Sequence, residues 1–375
     1  MNFPLPTAQP SISFEGTGKL RRGNKGLGSA PVVIRCDAAG NVSVWLTSPT
    51  PQQYWEWNAE SECEFTLTGS LNDGRLFECS KLRAVSLPDG LLPRDAVSFR
   101  ARKMVVGREY VGGAAAFLVT NLLLPNFSAN NQSVIAAVDD VEVELIPDLD
   151  YAERMKHLRA YKGIDVTATL RLTPRDARHD VRDLANELCL ILSVLTGQRT
   201  NWIGVVYDDS IALENRVTKP CSAWPVVGRL NKTFGLDWSW DELLRQTVRS
   251  LPHFRQFAQR CRLGSGLVDA WIDARLATDF LESRCLKVVA VLEAIKHDFR
   301  PGRNEFRKRL EGACADIGVS ITPTDMSEIV DIRNNIVHEG EFIEPHTLSK
   351  IERYELVTRH TDRIMLGLVG VTVVP

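Results

Sequence analysis

FLESRCLKVVAVLEAIKH, residues 280–297, sets Leu281, Cys285, Val288, Leu292 and Ile295 at alternating spacings of four and three. That period marks one buried helical face. It continues to the C-terminus. Phe306, Leu310, Ala313 and Ile317 make a second stripe. A third helix opens at Thr322-Pro323 with Asp325 following, a capping residue with proline at the first helical position, and ends at Gly340. The fourth runs from about Leu348 to Leu368 on Ile351, Tyr354, Val357, Ile364 and Leu368. Four amphipathic helices with short links predict an antiparallel bundle over residues 271–375.

Upstream the pattern loosens. Val181, Leu184, Leu188, Ile191 and Leu195 recur at helical spacing, with Gly197 as a stop, and a strand-like NWIGVVY follows. An irregular stretch passes Pro220 and Pro225, and beyond Asp237 the chain reads as helix again. Residues 176–270 are therefore expected to form a mixed, mainly helical connecting region. Residues 1–175 are β-rich. PVVIRCD, NVSVWLT, CEFTLTG, RLFECS, AAFLVTNLLL, SVIAAV, VEVELI and DVTATLRL alternate or are β-branched. DAAGN and LNDGR are turn signals, because glycine and asparagine tolerate positive φ. A short helix is expected at YAERMKHLRAY. The fold class is α+β: a sandwich-like antiparallel N-terminal domain, a sandwich or a curved antiparallel sheet, followed by a helical bundle.

Composition narrows the function. Net charge is −2 with 44% apolar and 25% charged residues, so a general nucleic-acid coat is excluded and any such contact must be local. Eight cysteines, at 36, 63, 79, 189, 221, 261, 285 and 314, contain no C-x-x-C pair, which fits reduced thiols rather than a disulfide framework or zinc site. The N-terminus has no basic and apolar signal pattern, and GGAAAFLVTNLLLP is too short and polar for a spanning helix. The sequons at Asn41, Asn126, Asn131 and Asn231 then read as chance matches. The expectation is a cytoplasmic protein with no membrane partner, no cofactor and no metal.

Chemistry concentrates at the end of the third helix, DIRNNIVHEG, residues 331–340. On a helical wheel Ile329, Val330, Ile336 and Val337 share a face, and Arg333 falls among them. A cation there is costly unless matched. A carboxylate on a neighbouring helix, Glu293 or Glu282, would match it, and so would a second subunit or a phosphate. Asn334 and His338 are four apart and stack on the next face. Arg333 and His338 lie about 140° apart on an ideal helix, yet both are long enough to converge at its end.

Arg333-Asn334-Asn335-Ile336-Val337-His338 resembles the R-x4-6-H signature of HEPN domains. Residues 280–297 resemble the first long bundle helix of the Apea-like HEPN group, including its glutamate, here Glu293. LCLILSVLTGQRTNW, 188–202, resembles the region before that bundle. The resemblance implies a metal-independent endoribonuclease that acts as a homodimer on RNA, as a toxin or antiviral defence effector. It makes Arg333, His338 and Asn334 the catalytic set, with support from Glu293. Histidine titrates near neutral pH and can move a proton, while arginine matches phosphate oxygens. Two Arg–His sets brought together across a two-fold axis would form a composite site. The β-rich half would then sense a phage-derived or cellular trigger, or restrain the nuclease.

Arg300, Arg303, Arg307, Lys308 and Arg309 form a basic cluster. Arg303 and Arg307 are candidate RNA-backbone contacts, against the plainer reading of a solvated helix face. GTGKL at 16–20 is not a P-loop, Ser265 lacks a nucleophile elbow, and Asp148 and Asp150 lack the partner strand of a metal nuclease. The tryptophans read as core rather than base-stacking platforms. Two rival readings stay open: a non-catalytic HEPN module for dimerisation or nucleotide binding, and a carbohydrate- or protein-binding β-domain that uses the bundle only to dimerise.

Overall fold

The computed structural model describes residues 12–37, 40–50, 53, 57, 64–85, 96–122, 133–148, 151, 154, 165–214, 234, 236, 239–260, 264–274, 280–302, 305–344 and 346–373. Alternation builds its first layer. In β3 (Val42–Thr47) Val42, Val44 and Leu46 are buried, while Ser43, Trp45 and Thr47 are not. The same in–out pattern runs through β1 (Ile12–Arg22), β2 (Lys25–Cys36), β4 (Phe65–Leu71) and β5 (Leu76–Ala84), while β6 (Ala96–Ala101) is buried at every position but Arg100. Each pairs antiparallel with its neighbour, in the order β1–β2–β3–β6–β5–β4, and β4 pairs back onto β1. The ring closes as a barrel around one apolar cluster that includes Ile34, Val44, Trp57, Leu67 and Phe99.

Of the two expected forms, a sandwich or a curved antiparallel sheet, the structure takes the curved one and closes it into a barrel. Both architectures bury alternate residues, so the pattern alone does not separate them. Glycine does part of the separating. A Cβ on Gly69 would sit 2.0 Å from the Thr17 carbonyl oxygen, and one on Gly16 2.2 Å from that of Ser70. The β1 and β4 backbones approach this closely only because side chains are missing. The predicted turns hold: Gly74 takes φ 87° in LNDGR, and the Arg75 N–H donates to Asp73 Oδ1 at 3.0 Å.

Beyond Arg102 the β6 strand continues as β7 (Lys103–Val106), which pairs with the other half of β5 and leaves the barrel. From β7 the sheet runs through β13 (Ser210–Glu214), β12 (Asn201–Tyr207), β8 (Ala115–Thr120), β11 (Val166–Pro174), β10 (Val141–Pro147) and β9 (Val134–Val138), all antiparallel. The middle region thus contributes two strands to the sheet as well as helices. The expected helix at 151–161 lies mostly outside the described residues, as do Cys63, Cys221 and Cys261. Cys36, Cys79, Cys285 and Cys314 are buried as free thiols.

Among the described residues the long helices are α1 (Arg182–Thr196), α2 (Trp240–Arg260), α3 (Gly264–Asp273), α4 (Leu281–Phe299), α5 (Phe306–Ile317), α6 (Pro323–His338) and α7 (Lys350–Leu368). α1 buries Leu184, Leu188, Ile191 and Leu195 and ends at left-handed Gly197, as its period requires. A second apolar cluster runs without a break from the β8–β10–β11 face through α1, α2 and α3 into α4–α7. A boundary drawn at 270 would cut α3, whose Trp271 is buried and donates to Asp362 of α7 at 3.0 Å. The four C-terminal helices contact one another in every pairing. Lys350 reaches Glu282 and Arg284 donates to the Tyr354 hydroxyl, so α4 and α7 start at the same end rather than alternating as a simple up-and-down set. No helix among the described residues is long and apolar enough to cross a membrane.

Candidate functional site

α6 is placed from both ends. Thr322 caps it by accepting from the Asp325 N–H at 3.1 Å, with Pro323 following. Its buried face is Met326, Ile329, Ile332 and Ile336. This corrects the wheel drawn from the sequence. Val337 is 41% exposed and Val330 is half-buried, so the buried arc is shifted, and Arg333 sits toward its edge, between Met326 and Ile329 on the wheel. Beyond the helix, fully buried Arg353 of α7 donates to the Ile343 carbonyl at 3.0 Å and lies over the Phe342 ring at 4.8 Å. His346 pairs with Glu328 at 3.2 Å. The loop that follows the motif is therefore pinned at two points.

Arg333 meets the carboxylate that the sequence offered. Its Nε donates to Glu293 Oε1 at 2.9 Å, whereas Glu282 pairs with Lys350. Glu293 Oε2 accepts from Lys296 Nζ. Burial pushes the Glu293 carboxyl up, but the hydrogen bonds and charges of Lys296 and Arg333 outweigh that and hold it below its ordinary value. The Phe306 ring lies 5.5 Å from the Arg333 guanidinium carbon and 5.1 Å from Lys296 Nζ.

The outer edge of the guanidinium faces the motif. Arg333 Nη1 donates to Asn334 Oδ1 at 3.0 Å and lies 3.4 Å from His338 Nε2. A guanidinium has no acceptor, so the ring nitrogen that faces it offers its lone pair, which places the neutral ring's proton on Nδ1. Asn334 and His338 are exposed, and Arg333 keeps 22% of its side-chain surface. Three groups spread over about 140° of an ideal helix thus converge at its C-terminal end. The cation reaches along the surface while the imidazole turns back to meet it.

Of the other candidates, Arg303 lies outside the described residues. Arg307 bonds to Glu311 Oε1 at 2.9 Å and to Ser327 Oγ at 3.2 Å. Its neighbours are also paired, Arg309 with the Arg300 carbonyl and Arg300 with Asp316. Asp148 pairs with Arg154 at 3.5 Å, and Trp57, Trp202 and Trp271 are core. Sequence reasoning missed Lys296 and passed over Phe306 as packing. Both were within reach of it, since Lys296 stands one helical turn after Glu293. A separate groove of about 640 Å³ lies on the outer face of β1, β4, β5 and β7, lined by Lys19, Thr68, Glu78 and Lys103 among others.

No protein-family model, no curated protein and no solved structure matches this chain.

Proposed function

We propose that the chain is a metal-independent endoribonuclease of HEPN type, with Arg333, Asn334 and His338 as its catalytic set. The observation that carries this reading is the convergence of Arg333 Nη1, Asn334 Oδ1 and His338 Nε2 on an exposed helix end. Cleavage without metal needs a base, an acid and a cation. An RNA phosphate takes hydrogen bonds from Arg333 and draws Nη1 off the imidazole. The freed Nε2 accepts the 2′-OH proton as the 2′-oxygen bonds to phosphorus. The bond from phosphorus to the 5′-oxygen then breaks, and that oxygen takes a proton. His338 of a second copy in a homodimer supplies it. The products are a 2′,3′-cyclic phosphate and a 5′-hydroxyl. The four C-terminal helices serve as the HEPN bundle, and the barrel half senses a phage-derived or cellular trigger or restrains the nuclease in a defence or toxin setting.

The test is incubation of purified protein with RNA in EDTA. Cleavage that survives chelation and leaves a 2′,3′-cyclic phosphate, with DNA untouched for want of a 2′-OH, supports the reading. Strict dependence on magnesium would move the chemistry to a carboxylate–metal site elsewhere.

A further inference from the structure

Glu293 could match Arg333 with one oxygen and leave the other to water. Instead both oxygens are engaged. Oε1 takes Arg333 Nε, and Oε2 takes Lys296 Nζ from the next turn of the same helix. Lys296 is 8% exposed, an ammonium taken out of water at a cost that an apolar residue here would not incur. Its contacts are Glu293 and the Phe306 ring, and that ring also lies against Arg333. Two cations, one carboxylate and one aromatic face therefore form a closed set spanning α4, α5 and α6.

The consequence falls on the guanidinium. With Oε2 held by Lys296, the carboxylate cannot rotate away, so Oε1 stays aimed at Nε. With Phe306 beside it, the guanidinium cannot swing off α6. Nη1 is thereby left on the outer side, against Asn334 and His338. We infer that Lys296 and Phe306 are positioning residues: through Glu293 and the ring face they fix Arg333 so that its outer edge, beside Asn334 and His338, is presented to a substrate phosphate. This rests on the ribonuclease reading for the identity of the substrate, and on geometry alone for the positioning.

The experiment uses the full chain and two readouts. The first is the Arg333 Nε–H resonance in a ¹H–¹⁵N spectrum, assigned by its loss in Arg333→Lys. It is expected to be protected from solvent exchange in the wild type and in Phe306→Tyr, and to exchange freely in Lys296→Met and Phe306→Leu. The second is RNA cleavage. Lys296→Met and Phe306→Leu are expected to lower kcat by roughly 10–100-fold with KM within about 2-fold, the size of effect seen when the supports of a reacting group are lost. Phe306→Tyr, which keeps the ring, and Lys296→Arg, which keeps the cation, are expected to recover most of it. A resonance that stays protected in both Lys296→Met and Phe306→Leu overturns the positioning role. If Phe306→Leu fails to fold, Lys296→Met alone decides it. If the wild type cleaves no RNA while the resonance behaves as expected, the ribonuclease reading falls and the positioning of Arg333 stands.

Discussion

At the scale of single residues, the site separates what holds Arg333 from what it holds. Glu293, Lys296 and Phe306 lie on its inner side, and Asn334 and His338 on its outer side. Removing Arg333 leaves Glu293 still paired with Lys296, so no carboxylate is stranded, and His338 is exposed. Arg333→Ala and His338→Ala are therefore expected to fold and to lose RNA cleavage by about 100-fold or more each. The double variant should be no worse than roughly the poorer single one, because both groups act on one transition state. Rates for the three variants, beside their circular dichroism, check this, and near wild-type cleavage by either single variant removes the assignment. The same residues set an acid limit. Glu293 titrates below its ordinary 4.5. A carboxyl with a lowered folded value contributes stability that is complete above the unfolded value and is lost as pH falls through the lowered one. The Arg333 anchor is thus intact at neutral pH and releases only as pH falls below that ordinary value.

Among the elements, α6 is clamped at its start by α7. His360 is 2% exposed and lies 3.0 Å from Asp325, in the first turn of α6. Burial lowers its affinity for a proton below that of an ordinary histidine at 6.5, and Arg359 and Arg363 add to this, while Asp325 opposes it. A histidine depressed on folding favours the folded state fully above the unfolded value and progressively less as pH drops beneath it. Wild-type Tm is expected to fall from about pH 6.5 downward, and His360→Gln, which keeps a polar partner for Asp325, should flatten that fall. Calorimetry at matched pH settles it, and equal slopes for both proteins would assign the loss elsewhere. The elements were unevenly legible in the sequence. α1, α4, α5 and the Thr322 cap of α6 announce themselves through period and capping chemistry, whereas the Ser349–Glu352 capping box of α7 passed unread. β1 was missed because its glycines break the alternation, and β6, β7 and β13 because short pieces need their neighbours to be recognised. Barrel closure depends on β4 pairing with both β1 and β5, a long-range choice that no local window contains. At the site, helical spacing singled out Arg333 and offered Glu293 or Glu282 as its match, while His338 entered through the resemblance. Which side of the stripe Arg333 occupies depended on where α4 and α5 dock.

For the whole molecule, two apolar clusters divide the work. The barrel's cluster also takes in Val166, Ile203 and Leu213 from the continuing sheet, while most of that sheet shares the other with all seven described helices. The C-terminal helices are thus built onto the sheet, and assembly is best measured on the full chain rather than on residues 270–375. A composite site needs two copies of the motif face to face, and the surface beside it suits such a contact. Val337 is 41% exposed one residue before His338, and Ile343 is 47% exposed on the pinned loop that follows. In a free monomer Val337→Asp puts its charge into water, so folding is spared. In a two-fold seam the same carboxylate would be desolvated next to its own symmetry mate, costing about 2 kcal/mol or more, a shift of roughly 30-fold in dimer affinity. The wild type is expected to sediment as a dimer and Val337→Asp as a monomer at matched low concentration. Cleavage should then fall in the variant and recover as protein concentration rises, since mass action restores the second histidine. A wild type that remains monomeric at concentrations where it is fully active would show that one chain supplies both proton-transfer groups, and the search for the acid would return to the surface around Arg333.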